Sequence, residues 1–578
     1  MTRSESQAKA ETTSEAAPAV GCEAGSVSAA DMRAQISRQV MWNRLVSVVE
    51  EGAQVLLKTA FGAVTREAGD LSVGVYDRRG RMMAQAVTGT PGHVNTMAMA
   101  VSHFLQRFPL DTLRPGDVLV TNDPWMGTGH LFDFVVVTPV FHHDRAVALI
   151  ACTCHVIDIG GRGFTADARS VFEEGLWVPH LKLLEAGRLN ETLLAIIERN
   201  VREPLQVRGD ILSLVSCNAA GARRLMDMLS EFDLADLETL SDHIIDRSRQ
   251  AMMAAIAALP EGSWKHHMRI DGYEQPVDLV ARLSVQQGQL TVDFEGSSAA
   301  SRFGINSPRC YSEAYTVFGV KCVIAPDIPN NAGSLSAIDI EMPAGSIVDP
   351  QPPAPVTARH VVGQMLPDLI FGCLEQAMGG LVSAEGAGSI WVLAMSHTEG
   401  SCRPFNAMSI GIGGAGARPG KDGLSCTAFP SGVGAIPVEV TEAASPLIFH
   451  RRELLPDSGG AGLYRGGLGA IIEIGHRYEE AFRVSAATFD RREYPARGRS
   501  GGSDGRAGSS RRSDGTALTG KGVYEIPAGQ RLIIELPGGG GWGNPANRAP
   551  HTLADEVAWG LVSSQSAQSC YGSDRRNA

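Results

Sequence analysis

The chain lacks the features that would classify it at a glance. None of its ten cysteines stands in a CxxC pair, and ten in 578 residues are too few for a disulfide scaffold. They read as reduced thiols of a cytosolic protein. No uncharged run approaches the roughly 20 apolar residues that span a bilayer. Positive charge is not in excess: 51 Lys and Arg against 63 Asp and Glu leave a net charge of −12, the wrong sign for nucleic acid or an anionic membrane. The first thirty residues, "MTRSESQAKAETTSEAAPAVGCEAGSVSAA", lack the apolar core of a signal peptide and carry too many acids for a transit peptide. They read as a disordered tail.

Nucleotide motifs are missing as well. "GGGGWG", Gly538 to Gly543, satisfies GxGxxG after the strand-like "RLIIEL", but Pro537 intervenes and "NPANRAP" cannot open the helix that receives a pyrophosphate. In "ARPGKDG" the P-loop spacing fails at Ala415, and Asp422 stands where a magnesium-binding hydroxyl is needed. "PDSGGAG" around Ser458 resembles a serine-protease turn but has no demonstrable His and Asp partners.

What remains is an ordinary globular composition, 44% hydrophobic and 20% charged, in a chain long enough for about three or four folding units. The patterning predicts an α+β, multi-layer mixed fold with β-hairpins and sheets, a helical layer and a glycine-rich C-terminal region of strands and loops. Residues 31–260 form the first region after the tail. There Asp31 can cap a helix over about 32–60, "DLSVGVYDRRGRMMAQA" reads as a hairpin turning at Arg79-Gly80, and "PGHVNTMAMAV" reads as a loop leading into a helix. From about 182 to 258 the apolar spacing is helical. Residues 261–400 are β-rich, with a helix near 311–325 and another over 356–378 that Pro367 kinks or breaks. Residues 401–550 read as glycine-rich loops joining short strands, and "RVSAATFDRREYPARGRSGGSDGRAGSSRRSDG" as an exposed, partly disordered connection. Residues 551–578 read as a terminal helix and tail.

The chemistry concentrates in "GHLFDFVVVTPVF", residues 129–141. His130 and Asp133 stand at the mouth of a strand, "HHDR" turns, and "AVALIACTCH" returns to end at His155. If Phe141 pairs with Ala146, His155 falls opposite Phe132, and Asp133 and His155 face opposite sides. Pro139 inside the first strand calls for a bulge, and the resulting one-residue slip would bring both onto one face. His130, in a glycine-flanked loop, can fold back to the same point. Two neutral imidazoles and one carboxylate with open positions form the pattern of a catalytic metal. Spacing alone leaves two other readings open: His130 and His155 as ordinary loop-end histidines, or Cys152, Cys154 and His155 as the ligands, although isolated thiols are mostly core residues.

These stretches, together with "DLSVGVYDRRGRMMAQ", "NDPWMGTGHLFDFVVVTPVF", "HVIDIGG", "FEEGLWVP", "ARHVVGQ", "RRELLPDSGGAGLYRGGLG" and "PGGGGWGNP", resemble the hydantoinase B/oxoprolinase family. The resemblance runs in order along nearly the whole chain. It implies that His130, Asp133 and His155 hold a divalent metal ion, zinc, manganese or iron. It also implies a partner, the hydantoinase A-type subunit that binds ATP and magnesium, in a hetero-oligomer such as a heterotetramer.

Further roles follow from the resemblance. Asp158 in "HVIDIGG" would orient a ligand or act as general base, or merely cap the Gly160-Gly161 turn. His93 would line the pocket, Glu174 would be a pocket carboxylate, and Arg359 and His360 would contact partner, substrate or the next helix. The sequence departs from the family where many hydrolases carry "PGS" after "DIGG", having "RGFTADARS" instead, and at Phe132, where proline is usual. The expectation is a metal-binding catalytic subunit of an ATP-dependent hydrolase of cyclic amides such as hydantoin, 5-oxoproline or lactam, in which metal-activated water attacks a carbonyl that the partner activates. A ketone carboxylase subunit and a non-catalytic scaffold for the ATP-using subunit are the alternatives.

Overall fold

A computed structural model describes residues 29–401 and 403–572, so almost all of the expected N-terminal tail lies outside the described residues. The mixed α+β expectation holds, and four sheets organise the chain. The first is built from β1 (Leu71–Tyr76), β2 (Met82–Gln85), β3 (Val118–Thr121), β4 (Asp133–His142), β5 (Arg145–His155), β6 (Leu181–Glu185) and β7 (Arg188–Leu189). Its order is β2-β1-β5-β4-β3-β6-β7, with every pair antiparallel. A sheet buried on both faces tolerates continuous apolar strands, and "FVVVTPVF" is such a strand. Phe134, Val136 and Cys152 pack with the helices Ala29–Thr59 and Pro204–Glu231 on one face. Val135, Val137 and Ala151 pack with the helix Pro91–Arg107 on the other.

The hairpin β4–β5 carries the register that the site depends on. At its tip Phe141 pairs with Ala146, but the register shifts between Val140 and Phe141, and from there Val140 opposes Ala148 and Asp133 opposes His155. The bulge falls on the returning strand at Val147, two residues from Pro139 along the ladder rather than at the proline itself. Pro139 lies beyond the Val135–Val137 stretch that β3 covers.

The second sheet contains β8 (Gly262–Ile270), β9 (Val277–Gln286), β10 (Gln289–Asp293) and β11 (Ile338–Glu341). The helices Arg309–Ile324 and Leu366–Met378 share its core. The helix expected over 356–378 is two pieces, His360–Gly363 and Leu366–Met378, with Pro367 in the first turn of the second, where its missing N–H costs nothing. The C-terminal strands, β12 (Trp391–His397), β13 (Asn406–Gly411), β14 (Leu447–Leu454), β15 (Ala470–His476), β16 (Phe482–Ser485), β17 (Ser509–Arg512), β18 (Val523–Ile526) and β19 (Leu532–Glu535), form two four-stranded sheets, β13-β12-β16-β18 and β14-β15-β19-β17, around one shared core.

Three local expectations need correction. The first helix begins at Ala29, which puts Asp31 inside its first turn and not at its cap. "PGHVNTM" is already helical, since Pro91 suits a first helical turn. The segment expected as an exposed connection is packed: Thr488, Phe489, Asp490 and Arg491 are buried within it, held by backbone and ion-pair contacts that composition does not reveal. The helices Pro550–Ala558 and Ser564–Tyr571 end the described chain. Among the described residues no helix is long and apolar enough to cross a membrane.

Candidate metal centre

Asp133 and His155 are cross-strand partners on the sheet face that the helix Pro91–Arg107 covers. His130 reaches them from the loop before β4. That loop turns at Gly129, whose φ of +102° and close approach to the Arg359 side chain, 2.5 Å from where a Cβ would stand, both require glycine. Ligand atoms of His130, Asp133 and His155 lie within 4.8 Å of one another, all buried.

The two oxygens of Asp133 have different surroundings. Oδ2 accepts from the Thr128 hydroxyl at 2.9 Å and from Arg359 Nη2 at 2.7 Å, and lies 2.9 Å from His93 Nε2. Oδ1 faces His130 Nε2 at 2.8 Å and His155 Nδ1 at 3.1 Å. Burial alone would raise the Asp133 pKa, yet the imidazoles and the Arg359 guanidinium hold it well below the ordinary carboxylate range.

His130 supplies the test of whether a cation fits. Its Nδ1 lies 2.9 Å from the Thr357 carbonyl, which only accepts, so Nδ1 carries the proton and Nε2 a lone pair. Burial, then the Arg359 charge, pushes the His130 pKa down to about 4, so a second proton is absent at neutral pH. Nε2 therefore meets Asp133 Oδ1 lone pair to lone pair and makes no hydrogen bond. A cation held by His130 and Asp133 would resolve that contact, and the Thr357 carbonyl would then be the outer partner that metal-binding imidazoles commonly have.

The other residues singled out from the sequence fall in different places. His93 bridges Asp133 and Asp70, 3.3 Å from Asp70 Oδ1 at its Nδ1. Burial opposes its charge, but Asp133 and Asp70 outweigh burial and raise its pKa. Asp158 is remote from the cavity lining: it accepts from the Gly160 and Arg202 backbone N–H groups and pairs with the Arg202 guanidinium at 2.6 Å. Its carboxylate closes the turn and does not reach the metal ligands. Glu174 also stays outside the lining. Its Oε1 accepts from the N–H groups of Val356 at 2.7 Å and Thr357 at 2.8 Å, while Oε2 is buried without a partner. It anchors the segment whose carbonyl holds His130. Cys152 donates to the Leu214 carbonyl in the core, away from the site.

The imidazoles of His93, His130 and His155 line a small cavity of about 40 Å³. Tyr311 and Tyr315 from the helix Arg309–Ile324, and Arg359, His360 and Gln364, complete its polar side. Val392, Met408 and Ile410 of β12 and β13 make the opposite wall aliphatic. Thr128, Asp70, the two tyrosines and this wall were not singled out from the sequence. Only Thr128, inside "GTGH", offered a local signal. A larger open groove of about 1100 Å³ lies along the helices Ala29–Thr59 and Pro204–Glu231. Arg224 there is paired with Glu51 at 2.6 Å, and among the described residues no set of ligand atoms converges in it, so the smaller cavity is the candidate site.

Comparison with known proteins identifies the family. A protein from Pseudomonas sp. strain NS671 described as the B-type subunit of a D-/L-hydantoinase is 28% identical over 565 residues, 93% of this chain and 94% of its own. The crystal structure of ATP-dependent caprolactamase from Pseudomonas jessenii superposes with a TM-score of 0.86 at 25% identity, over 93% of this chain and 96% of that one. A nucleotide-free acetone carboxylase structure gives 0.83 at 18% identity, over 94% and 80%, a likeness of fold. The hydantoinase B/oxoprolinase family profile matches residues 34–545, and the chain belongs to that family.

Proposed function

We propose that this chain is the metal-binding catalytic subunit of an ATP-dependent enzyme that opens a cyclic amide, working with a hydantoinase A-type subunit in a hetero-oligomer such as a heterotetramer. The observation that carries this reading is the buried contact of His130 Nε2 with Asp133 Oδ1, two lone pairs at 2.8 Å on the wall of a small cavity. Two imidazoles and a carboxylate suit zinc, manganese or iron. A divalent ion held there would supply Lewis acidity at neutral pH.

The chain's own residues account for the rest. Thr128 and Arg359 hold Asp133 Oδ2 so that Oδ1 stays aimed at the two imidazoles. Thr357 fixes the tautomer of His130. His93, between two carboxylates and on the cavity wall, is placed to hold a proton at Nε2. The aliphatic wall excludes bulk water, which strengthens every polar interaction inside. Amide carbonyls are poor electrophiles with poor leaving groups. Activation by ATP is therefore assigned to the partner, in keeping with the absence of a P-loop here and with the names of the relatives, one part of a multi-subunit hydantoinase and the other an ATP-dependent caprolactamase. The free thiols among the described residues support a reducing, cytoplasmic setting.

The test is an assay of the complex co-purified with its partner, following ATP consumption with hydantoin, 5-oxoproline and ε-caprolactam beside the metal content. Ring opening coupled to ATP is expected. His130→Ala and His155→Ala should lose stoichiometric metal and at least about 100-fold in turnover. Ketone consumption that depends on bicarbonate would overturn the reading in favour of a carboxylase, and turnover retained without metal would leave only the scaffold role.

A further inference from the structure

Two polar side chains of the cavity are unused by the metal set. His360 and Gln364 lie one turn apart, the Gln364 N–H bonding the His360 carbonyl at 3.0 Å, so they project to the same side. Both line the cavity, at 5% and 3% exposure. A single residue pins both from behind. The Ile390 N–H donates to Gln364 Oε1 at 3.2 Å, which leaves the NH2 as the free donor end of the Gln364 amide. A hydrogen bond to the Ile390 backbone also favours a proton on the His360 ring, while His360 Nε2 is buried with no hydrogen-bond partner. Burial, then the charges of Arg359 and the neighbouring imidazoles, holds the His360 pKa well below its ordinary value. In the neutral ring the proton that bonds the Ile390 backbone is on the other nitrogen, because Nε2 has no partner, so Nε2 carries the lone pair.

The cavity thus presents an acceptor, His360 Nε2, buried without a partner, beside a donor one helical turn away, the Gln364 NH2, and a buried polar group left unpaired is costly. A ligand that satisfies both must carry an N–H and a C=O on one edge. Open-chain amides are almost always trans and place these groups on opposite sides. A small ring forces the amide cis and brings both to the same edge. A ketone has no N–H to give. Resting on the cyclic amide reading above, we propose that His360 and Gln364 are specificity-determining residues that read the cis-amide edge of the substrate, His360 Nε2 accepting its ring N–H and Gln364 donating to its carbonyl oxygen. The ring carbons then lie against Val392, Met408 and Ile410, which offer no charge, so the substrate class is a neutral cyclic amide with an aliphatic body.

The experiment uses the complete complex with ATP and assays 2-pyrrolidinone, ε-caprolactam and hydantoin beside their N-methyl derivatives. The wild type should favour a parent ring over its N-methyl form by about 100-fold or more in kcat/KM, as expected of a site built to bond an N–H. His360→Ala should bring that ratio to within about fivefold while metal stays stoichiometric, because the acceptor that enforces the preference is gone. His360→Phe, which keeps the ring's volume, gives the same result if the alanine variant does not fold. Gln364→Met should lower kcat/KM for both forms alike, by about tenfold, and leave the ratio intact. A purely structural His360 would depress both substrates together and keep the ratio, which overturns the proposal while the hydrolase reading stands; undiminished activity of Gln364→Met also overturns it. If none of the parent rings opens, the hydrolase reading fails and this assignment falls with it.

Discussion

Asp133 divides its oxygens between two tasks, and that division explains which residues are legible in the sequence. His130, Asp133 and His155 stand out there as ligand residue types at short spacing, and the family resemblance selects them over the loop-end and thiol readings. Arg359 and Thr357, which orient them, come from more than 200 positions away, and nothing local marks an orienting partner. Glu174 stands out in the sequence but for a different role: its carboxyl ties down the backbone of Val356 and Thr357. Burial raises its pKa from 4.5 to about 8. An acid whose folded pKa lies above its unfolded value contributes stability that is full below about 4.5 and is lost as the pH rises through about 8. Glu174→Gln keeps the acceptor oxygen and cannot ionise. Between these limits the wild type should lose stability relative to the variant by up to about 1.4 kcal/mol per pH unit, checked by thermal melts of both proteins over a pH series. A constant difference across the series would show that Glu174 does not carry the proton.

At the scale of elements, alternation identifies the β4–β5 hairpin but cannot locate its bulge. Pro139 announces an irregularity, and the backbone places it on the opposite strand at Val147. The consequence is the same, because one extra residue on either strand turns Asp133 and His155 to a common face. The glycine-rich region misleads for another reason. Composition reads glycine as flexibility, whereas Gly538 is there because a Cβ would stand 1.8 Å from the Ser458 carbonyl oxygen, so chains in this region pack backbone against backbone. The hairpin tip yields a prediction. His143 and Asp144 both have positive φ, 47° and 61°, the geometry of a type I′ turn that Asn-Gly fits best. The double change His143→Asn, Asp144→Gly should stabilise the protein by about 0.5–1 kcal/mol, read as a higher melting temperature with metal content unchanged. A lower melting temperature would mean that the imidazole and carboxylate at the tip contribute more than their backbone strain costs.

Across the whole molecule, the cavity has a polar wall from the first two sheets and an aliphatic wall from the third, an encounter that no periodicity reports. What holds the walls together is a buried charge cluster between the second sheet's helices and the C-terminal strands. Arg491 Nη1 donates to Glu385 Oε2 at 3.1 Å, Arg497 Nε to Glu385 Oε1 at 2.7 Å, and Arg491 Nη2 lies 3.8 Å from Asp368. Asp368 begins the helix that follows the His360–Gln364 turn, and Glu385 precedes Ile390, so the cluster sets the distance between the two residues proposed to read the amide and the backbone that pins them. Burial, then the Glu385 charge, raises the Asp368 pKa to about 7, whereas Arg491 and Arg497 hold Glu385 below its ordinary value against burial. Arg491→Met fills the volume but removes the charge, leaving Glu385 with Arg497 and Asp368 with the more remote charge of Arg499. Breaking one partner from a buried ion pair costs about 3–5 kcal/mol. The variant should melt at a lower temperature, become open to limited proteolysis between about residues 380 and 500, and lose ring-opening activity. Its metal content should stay stoichiometric, because all three proposed ligands belong to β4, β5 and the loop before β4. Metal lost in parallel with activity would show that the first sheet depends on the C-terminal strands for its own geometry, and the cluster would then be part of one cooperative core and not a clamp between two walls.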